Sequence, residues 1–431
     1  MKTRILFFLI LFLTSCSSQI DLNIDIEELK KDGSVYLENK KISDNKIIKK
    51  INLVKLYKAQ VMLNTSNQEL GSISDLNLHY FNNSNLNNLN KKNLFEFKKK
   101  NIHKKNILYH KNNLIFIDDY SNIVIVNSDF KIISKYKIYK NSFYEDYLLK
   151  FSVNISNDIL YVADNIGGII AYDIIKNTII WRNNLTVPFL SNILIYNSAV
   201  YVLNANGKLY SFNVINGAQN WSFETGTQSI KTSNLLKISI SNDNLIFSND
   251  LGYVYCIDLT NKGIKWTYKV PLSNKITNNS YFKTGGINIE GKDVYVSSSF
   301  GNLIKLNIEN GSLVWISEIS SDLNVIINPD TIFIVDVNGY FYIVKREDGS
   351  ILYKNHLKNK KKMRDINFNN IYLMSNKFFL STSSGYAVLI DTQNLETINF
   401  YKISNAIKSN IIILKNNIYF IGEKKSIYQI K

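Results

Sequence analysis

Short runs of alternating apolar and polar residues follow one another along most of the chain. Typical runs are Gly207–Phe212 and Gly252–Ile257, with turn-forming residues between one run and the next. Successive side chains of a β-strand point to opposite faces, so an alternation with a period of two predicts strands. The pattern therefore predicts an all-β protein built from many short strands.

The runs are copies of one repeat, at intervals of about 40 to 50 residues. Each clear copy begins with a glycine, and these glycines are Gly168, Gly207, Gly252, Gly301, Gly339 and Gly385. Two weaker copies flank the set, at Ser121–Val126 and Ser426–Ile430. The sequence thus contains eight copies of the repeat.

Each copy has the same internal order of features. A second strand precedes the glycine, and a turn follows the glycine-led strand, often as Asn216-Gly217 or Asp348-Gly349. Such pairs accept positive φ and are typical of tight hairpin turns. An aromatic residue follows the turn in five copies; these residues are Trp181, Trp221, Trp266, Trp315 and Tyr353. We expect them to wedge between adjacent sheets, because a ligand-stacking site needs one or two aromatics rather than one in nearly every copy.

Small antiparallel sheets with two apolar faces bury those faces by stacking radially on one another. We therefore predict an eight-bladed β-propeller of four-stranded antiparallel blades over residues 93–431. The last copy ends with the chain and lacks a fourth strand. The segment Leu94–Phe97 resembles that strand, and its pairing with the last copy is expected to close the ring and remove two open edges.

The first residues predict export. Lys2 and Arg4 precede an apolar core, Ile5–Leu13, which is too short for a permanent membrane span of about 20 residues. We predict a signal peptide over residues 1–15 and a polar, partly ordered tether over residues 16–92. The sequence from Leu13 to Cys16 resembles a bacterial lipobox, which implies that Cys16 carries diacylglycerol. The alternative is an ordinary signal whose cleavage site happens to contain a cysteine.

Charge and cysteine content narrow the possible functions. The formal net charge is +16, which raises the question of nucleic-acid binding. An exported protein rarely meets nucleic acid, and the lysines form no recognisable binding motif with aromatics. A weak attraction to anionic membrane surfaces is expected instead. If Cys16 is acylated, Cys256 has no partner, so a disulfide framework is excluded.

The stretch from Gly207 to Trp221 reads Gly-x-Leu-Tyr-x-x-Asn-x-x-Asn-Gly-x-x-x-Trp. This pattern resembles the PQQ-type propeller repeat. With eight copies and a lipobox, the chain resembles the BamB-like outer-membrane assembly lipoproteins. The resemblance implies a non-catalytic scaffold on the periplasmic face of the outer membrane. It also implies docking on the barrel-inserting subunit of the β-barrel assembly machinery, without a cofactor or small-molecule substrate.

In that family the docking surface lies on loops between middle blades. The corresponding stretch here contains Ile230 and Lys231, which would replace an apolar anchor and an arginine. The family's acidic pair in the next loop has no counterpart near Lys283. The alternative for Ile230 and Lys231 is a solvated connector.

Catalytic chemistry is not indicated by the residues. Quinoprotein dehydrogenases, which share the repeat, resemble one another in an adjacent cysteine pair and a calcium site, and neither is recognisable here. The histidines have no metal-binding spacing. Asp118, Asp173, Asp258 and Asp391 fall at strand ends, where turn capping is expected. The remaining alternative is an envelope propeller that binds another partner or a glycan.

The lipobox gives a direct test. Cells expressing the chain and fed a fatty-acid analogue are expected to label it, and Cys16→Ala should abolish the label because the thiol is the acylated group. A Cys256→Ala variant is the matched control and should be labelled as the parent is. Labelling that survives Cys16→Ala would contradict the anchor.

Overall fold

The computed structural model describes most of the chain beyond residue 105. The described residues are 78–79, 91–96, 106–127, 129–141, 144, 147–226, 236–273, 282–357, 367–374, 377–392, 394–395, 398–414, 417–422 and 426–430. All of them fall in one compact unit, residues 41–431.

The described strands form eight sheets. The first sheet contains β3 (Ile107–His110), β4 (Asn113–Ile117), β5 (Asn122–Val126) and β6 (Ile132–Lys137). The second contains β7 (Phe151–Ser156), β8 (Ile159–Asp164), β9 (Gly168–Asp173) and β10 (Thr178–Asn184). The third contains β11 (Leu194–Tyr196), β12 (Ala199–Leu203), β13 (Lys208–Asn213) and β14 (Gln219–Glu224). The fourth contains β15 (Ile238–Ser241), β16 (Asn244–Ser248), β17 (Tyr253–Asp258) and β18 (Gly263–Lys269).

The remaining sheets follow the same scheme. The fifth contains β19 (Thr284–Glu290), β20 (Asp293–Ser298), β21 (Leu303–Asn307) and β22 (Leu313–Ser317). The sixth contains β23 (Ile326–Ile327), β24 (Thr331–Val335), β25 (Tyr340–Lys345) and β26 (Ile351–His356). The seventh contains β27 (Phe368–Met374), β28 (Lys377–Thr382), β29 (Tyr386–Asp391) and β30 (Ile398–Lys402), together with β1 (Leu78–His79). The eighth contains β31 (Ile412–Leu414), β32 (Asn417–Ile421), β33 (Ser426–Ile430) and β2 (Lys91–Glu96).

Strands that follow one another in sequence pair antiparallel within each sheet. The prediction of an all-β protein of antiparallel four-stranded sheets is confirmed, and the described ranges contain no α-helix. Nor do they contain a helix with the length and hydropathy of a membrane span. The seventh sheet departs from the scheme, because β1 adds a fifth strand that runs parallel to β27. In the eighth sheet β2 pairs antiparallel with β33.

The hydrophobic core lies between the sheets. Each of the eight core clusters is shared by two neighbouring sheets, and the cluster of Phe116, Val124, Ile412 and Ile427 joins the first sheet to the eighth. Cys256 is fully buried in the cluster between the fourth and fifth sheets, where it acts as a small apolar residue. First strands of neighbouring sheets also contact one another, for example β3 with β7 and β31 with β3. The sheets therefore converge on their first strands, as the blades of a β-propeller do.

Two asparagines join first strands across sheet boundaries. The Asn192 side chain accepts a hydrogen bond from the Ile238 amide (3.0 Å) and donates one to the Ile238 carbonyl (3.1 Å). Asn410 does the same with Ile107, at 2.8 and 3.0 Å, and so links the eighth sheet to the first. We call these contacts amide staples, since each side-chain amide bonds both the N–H and the carbonyl of one residue in the neighbouring sheet, as the backbone of a paired strand would.

The tight turns between the strands are of two kinds. Two-residue turns with both φ values positive join first to second strands, as at Asn157 (φ 49) and Asp158 (φ 65). In the turns between third and fourth strands only the glycine is left-handed, such as Gly217 (φ 71), whose N–H donates to the Asn213 carbonyl. Each Asn-Gly or Asp-Gly pair thus forms the predicted tight turn with positive φ at its glycine alone.

The glycine of the second copy was also misplaced by one residue. Gly167 has the left-handed φ of 94 and lies three residues after Asp164, as Gly207 lies three residues after Asn204. Ser121 takes this position in the first sheet with φ 60, so the first copy keeps the turn without its glycine. The backbone conformation, rather than the glycine itself, defines the repeat.

Aromatic residues of the fourth strands contact the next sheet. Trp266 donates its indole N–H to the Ile308 carbonyl (2.7 Å), and Trp315 does the same to Arg346 (3.0 Å). The ring of Trp266 covers Gly311, where an added Cβ would lie 2.6 Å from a ring carbon. Trp181 repeats this arrangement with Val214 (2.9 Å), and Tyr353 reaches Leu395 (3.4 Å).

Trp221 is the exception among the tryptophans. Lys262 takes the left-handed position (φ 59) in the turn of the fourth sheet, where the third and fifth sheets have Gly217 and Gly311. Trp221 remains only partly buried against the cluster between the third and fourth sheets. The tryptophan contact thus depends on a turn residue that has no side chain.

This dependence predicts a difference between two glycines of the fifth sheet. Gly291 has φ 59 with nothing within 4 Å of an added Cβ, whereas the Cβ of an alanine at 311 would collide with Trp266. Gly291→Ala should lower the free energy of unfolding only by the left-handed strain, about 1–2 kcal/mol. Gly311→Ala should lower it by at least about 1 kcal/mol more, measured by urea unfolding. Equal losses would contradict the tryptophan contact.

Candidate partner-docking surface

The predicted docking residues, Ile230 and Lys231, lie outside the described residues, but both ends of their connector are described. At its start the Thr225 N–H donates to the Gly207 carbonyl (3.2 Å) and the Gly226 carbonyl accepts from Asn249 (2.9 Å). At its end the Leu236 N–H donates to the Leu190 carbonyl (2.6 Å). The start of the connector is therefore bonded to the turns between second and third strands of the third and fourth sheets, and its end is bonded to the segment before β11.

The same attachment recurs around the propeller. A residue just after the fourth strand donates its N–H to the carbonyl of the left-handed turn residue of its own sheet. The donor–acceptor pairs are Ile138 with Ser121, Leu185 with Gly167, Val270 with Gly252, Leu357 with Gly339, and Ile403 with Gly385. These connectors thus all leave from one end of the sheets, which we call the connector end.

Side-chain oxygens shape the turns of the connector end. Asp164 Oδ1 accepts from the backbone N–H groups of Ile166 (3.0 Å) and Gly168 (2.8 Å), and Asn204 and Asn249 accept from their own turns in the same way. Asp118 does so too, which confirms its predicted turn-capping role. Sequence reasoning missed the shared position of the others, although an Asp or Asn three residues before the left-handed residue is a usable signal in the first, second, third, fourth and sixth sheets.

The other predicted capping carboxylates lie at the opposite end of the sheets, which we call the turn end. Asp173 accepts from the Ile175 N–H (2.9 Å), Asp258 from Thr260 (2.8 Å) and Asp391 from Asn394 (3.1 Å). Backbone N–H bonds hold the Asp258 pKa below its usual value. The capping role is confirmed for these three residues.

Apolar side chains lie at the connector end of the fourth and fifth sheets. Leu251 lies beside Gly226, its Cδ1 3.5 Å from where a Cβ would be. Phe300, at the equivalent turn of the fifth sheet, packs edge-on against Phe282 at 4.8 Å between ring centroids. Leu272, at the start of the next connector, is 51% exposed. The connector end of the fourth and fifth sheets is thus partly apolar.

Cations stand over aromatic rings at the same end. Lys269 lies 4.2 Å from the ring centroid of Tyr253, and Lys402 lies 4.4 Å from that of Tyr386. Lys283, where the family's acidic pair has no counterpart, forms an ion pair with Asp322. A partner would meet a mixed aromatic and cationic surface here.

Several titratable side chains of the described residues are buried or hydrogen-bonded to one another. Burial raises the pKa of Cys256 to about 12, so its thiol is protonated at neutral pH. Burial also raises the pKa values of both Asp164 and Tyr139, which are hydrogen-bonded to each other. His110 is bonded to Asp158 at 2.6 Å, and their pairing lowers the Asp158 pKa. Within the described ranges no group of three or more His, Cys, Asp or Glu residues could hold a metal ion.

Comparisons with known proteins agree with this geometry. A family model described as "Outer membrane protein assembly factor BamB" matches residues 149–355. The protein of that name from Yersinia pestis is 21% identical over 209 residues, which cover 48% of this chain and 53% of that protein. The crystal structure of BamB from Moraxella catarrhalis matches with a TM-score of 0.64 at 15% identity, over 80% of this chain and 100% of that one. The chain is similar to BamB and has PQQ-type repeats. The resemblance drawn from the sequence is confirmed.

Two further facts limit what the similarity to BamB implies about function. The chain spans about half the length of the Yersinia pestis protein it matches. A europium-containing methanol dehydrogenase also matches, with a TM-score of 0.63 at 11% identity, over 87% of this chain and 91% of that one. The fold alone therefore does not separate a BamB-like scaffold from an enzyme.

The Asp164 turn gives a pH-dependent prediction. Its pKa is raised in the folded state, so the folded protein loses stability as pH rises from about 4 through that raised pKa. Asp164→Asn keeps an oxygen acceptor, as Asn204 does in the third sheet, and should remove this loss. The stability difference between variant and parent, from urea unfolding at several pH values, should therefore grow with pH and then level off.

Asp164→Ala is the control for the turn itself. It removes the acceptor of two backbone N–H groups as well as the titrating carboxyl, so its free energy of unfolding should lie about 1–3 kcal/mol below that of Asp164→Asn at every pH. A pH-independent difference between Asp164→Asn and the parent would contradict the burial argument.

Proposed function

We propose that the chain is a non-catalytic scaffold lipoprotein of the outer-membrane β-barrel assembly machinery. It is held by a lipid on Cys16 at the periplasmic face of the outer membrane and docks on the periplasmic domains of the barrel-inserting subunit. The observation that carries the proposal is the match to BamB from Moraxella catarrhalis along the whole of that chain. The lipobox and the family model over residues 149–355 support it.

The proposed organisation is a signal peptide (1–15), a lipidated tether (16–92) and an eight-bladed propeller (93–431). We propose that the ring is closed by the N-terminal strand β2. Its antiparallel pairing with β33, the Asn410 amide staple to Ile107 and the core cluster between the eighth and first sheets support closure. The contacts of Trp181, Trp266, Trp315 and Tyr353 support the proposed blade-docking role of the aromatic positions, and Trp221 is proposed to share it.

Ile230 and Lys231 are proposed to carry the docking. The described start of their connector supports this, because Gly226 accepts a hydrogen bond from Asn249 and lies beside the apolar Leu251. An apolar anchor with an adjacent cation is typical of a small docking site whose centre is buried on binding. The residues around it would form the polar rim.

A quinoprotein dehydrogenase is the alternative, and the likeness to the methanol dehydrogenase fold is the observation that favours it. Against it stands Cys256, which is buried and has no neighbouring cysteine in the sequence. Purified protein with a quinone absorption band and dye-linked dehydrogenase activity would overturn the scaffold proposal. If the chain instead binds another envelope protein or a glycan, that ligand would be recovered with it in the absence of the barrel-inserting subunit.

The docking proposal is tested by pull-down of the barrel-inserting subunit from envelope extracts. Ile230→Ala/Lys231→Glu should reduce recovery of the subunit by about tenfold or more, the equivalent of 1.4 kcal/mol in binding. The matched control is Ile264→Ala/Lys262→Glu, which makes the same changes at exposed positions of the turn end of the fourth sheet. Recovery that is equal for both variants would overturn the site, and no recovery with the parent would overturn the partner.

A further inference from the structure

Five isoleucines are exposed on the outer side of the first three sheets. Their exposed fractions are 45% for Ile132, 54% for Ile133, 71% for Ile175, 42% for Ile180 and 74% for Ile215. Ile175 and Ile215 are the two most exposed large apolar residues of the described chain. Scattered exposed apolar residues need no explanation, but a contiguous group marks an interaction surface.

Hydrogen bonds between the sheets bring these isoleucines into one row. Ser134, next to Ile133 on β6, bonds to Asn177 in the turn that carries Ile175 (2.6 Å). Asn183, on the same strand as Ile180, donates to the Gly217 carbonyl (2.6 Å) in the turn that carries Ile215. The row therefore runs from β6 across the turn and fourth strand of the second sheet to the turn of the third. We call it the isoleucine ridge.

The two most exposed isoleucines are held in place by their turns. Asp173 accepts from the N–H groups of Ile175 (2.9 Å) and Lys176 (2.8 Å). Asn213 accepts from the N–H of Ile215 (2.8 Å). The equivalent positions of the next three sheets carry polar residues, Thr260, Glu309 and Glu347. The apolar tips are therefore specific to the second and third sheets rather than a property of the repeat.

The charge beside the ridge is mostly positive. Lys135 and Lys176 have side chains that are 53% and 79% exposed, and each lies near a mostly buried carboxylate, Asp118 at 3.9 Å and Asp173 at 3.8 Å. Lys131 is exposed next to β6. The carboxylate of Asp173 is 17% exposed and engaged in its turn. Asp129 is the exposed carboxylate of the same strands and turns. The surface thus combines aliphatic tips with a cationic border.

We propose that the isoleucine ridge docks on the surface of an anionic lipid bilayer. The tips are convex turns rather than the walls of a groove, and a deformable surface receives convex tips without preformed pockets. Aliphatic side chains bordered by lysines suit the boundary between acyl chains and anionic headgroups. Each lysine near such a surface contributes attraction that falls with salt.

The ridge also has a defined relation to the proposed docking connector. Ile175 and Ile215 lie at the turn end, whereas the connector of Ile230 and Lys231 leaves from the connector end of the sheets. A bilayer on the ridge leaves that connector free for a protein partner. The lipid on Cys16 would hold the chain near the membrane, and the ridge would set its orientation there.

The test places an environment-sensitive NBD dye on the acylated full-length chain at Ile175→Cys or Ile215→Cys. The native Cys256 is buried, with its pKa raised to about 12, and should not react. The matched control is Ile264→Cys, which is 54% exposed on β18 of the fourth sheet. Mass spectrometry of labelled peptides locates the dye and also shows whether the Cys16 thiol is blocked, so a failure of the anchor is recognised separately.

With vesicles of phosphatidylethanolamine and phosphatidylglycerol, dye at 175 and 215 should shift to shorter wavelength, brighten severalfold and be quenched by spin-labelled lipid. Dye at 264 should not change. The shift should weaken in phosphatidylcholine vesicles and at high salt. In the full-length Cys16→Ala chain, which has no acyl anchor, Ile175→Ser/Ile215→Ser should lower vesicle binding at least about threefold, without a change in thermal melting.

Three outcomes would overturn the proposal. One is equal emission at all three positions with vesicles present. Another is a shift that grows with protein concentration in the absence of vesicles, which would assign the ridge to a second copy of the chain. The third is a shift produced by envelope proteins but not by vesicles, which would assign it to a protein partner.

Discussion

No sheet of this protein can bury its two apolar faces alone, and every other feature depends on how one sheet packs against the next. The core clusters are shared by neighbours, and Trp266 and Trp315 donate to backbone carbonyls of the following sheet. A tryptophan approaches that closely only where the facing turn has glycine. Position 311 therefore requires glycine because Trp266 of the preceding repeat packs on it, and a change at either residue affects the other.

The strands and their order could be predicted from the sequence because alternation and repetition report directly on two-faced sheets. The positions of the left-handed residues were predicted less accurately. Gly167 and Gly168 are adjacent, and the left-handed φ of Gly167 in the structure shows which of them turns the chain. The amide staples were missed because Asn192 and Asn410 look like ordinary surface asparagines, and their partners belong to the next sheet.

The candidate docking surface was also only partly predictable from the sequence. Family resemblance pointed to Ile230 and Lys231, and the described flanks of their connector show which end of the sheets it leaves from. The sequence did not indicate the isoleucine ridge, because Ile175 and Ile215 fit the alternating pattern as well as any buried isoleucine does. Whether an isoleucine in a turn is buried depends on how the neighbouring sheet packs against it. The alternation of residues within one strand carries no information about that packing.

The Asn410 staple joins residues that are 303 positions apart in the chain. A contact of such sequence separation forms late, because the entropy of closing the loop is lost before the contact contributes. A chain made from its N-terminus presents the first sheet long before Asn410 is made. Until then the face of the first sheet that packs on the eighth has no neighbour, so the unfinished chain is most exposed to aggregation in that interval.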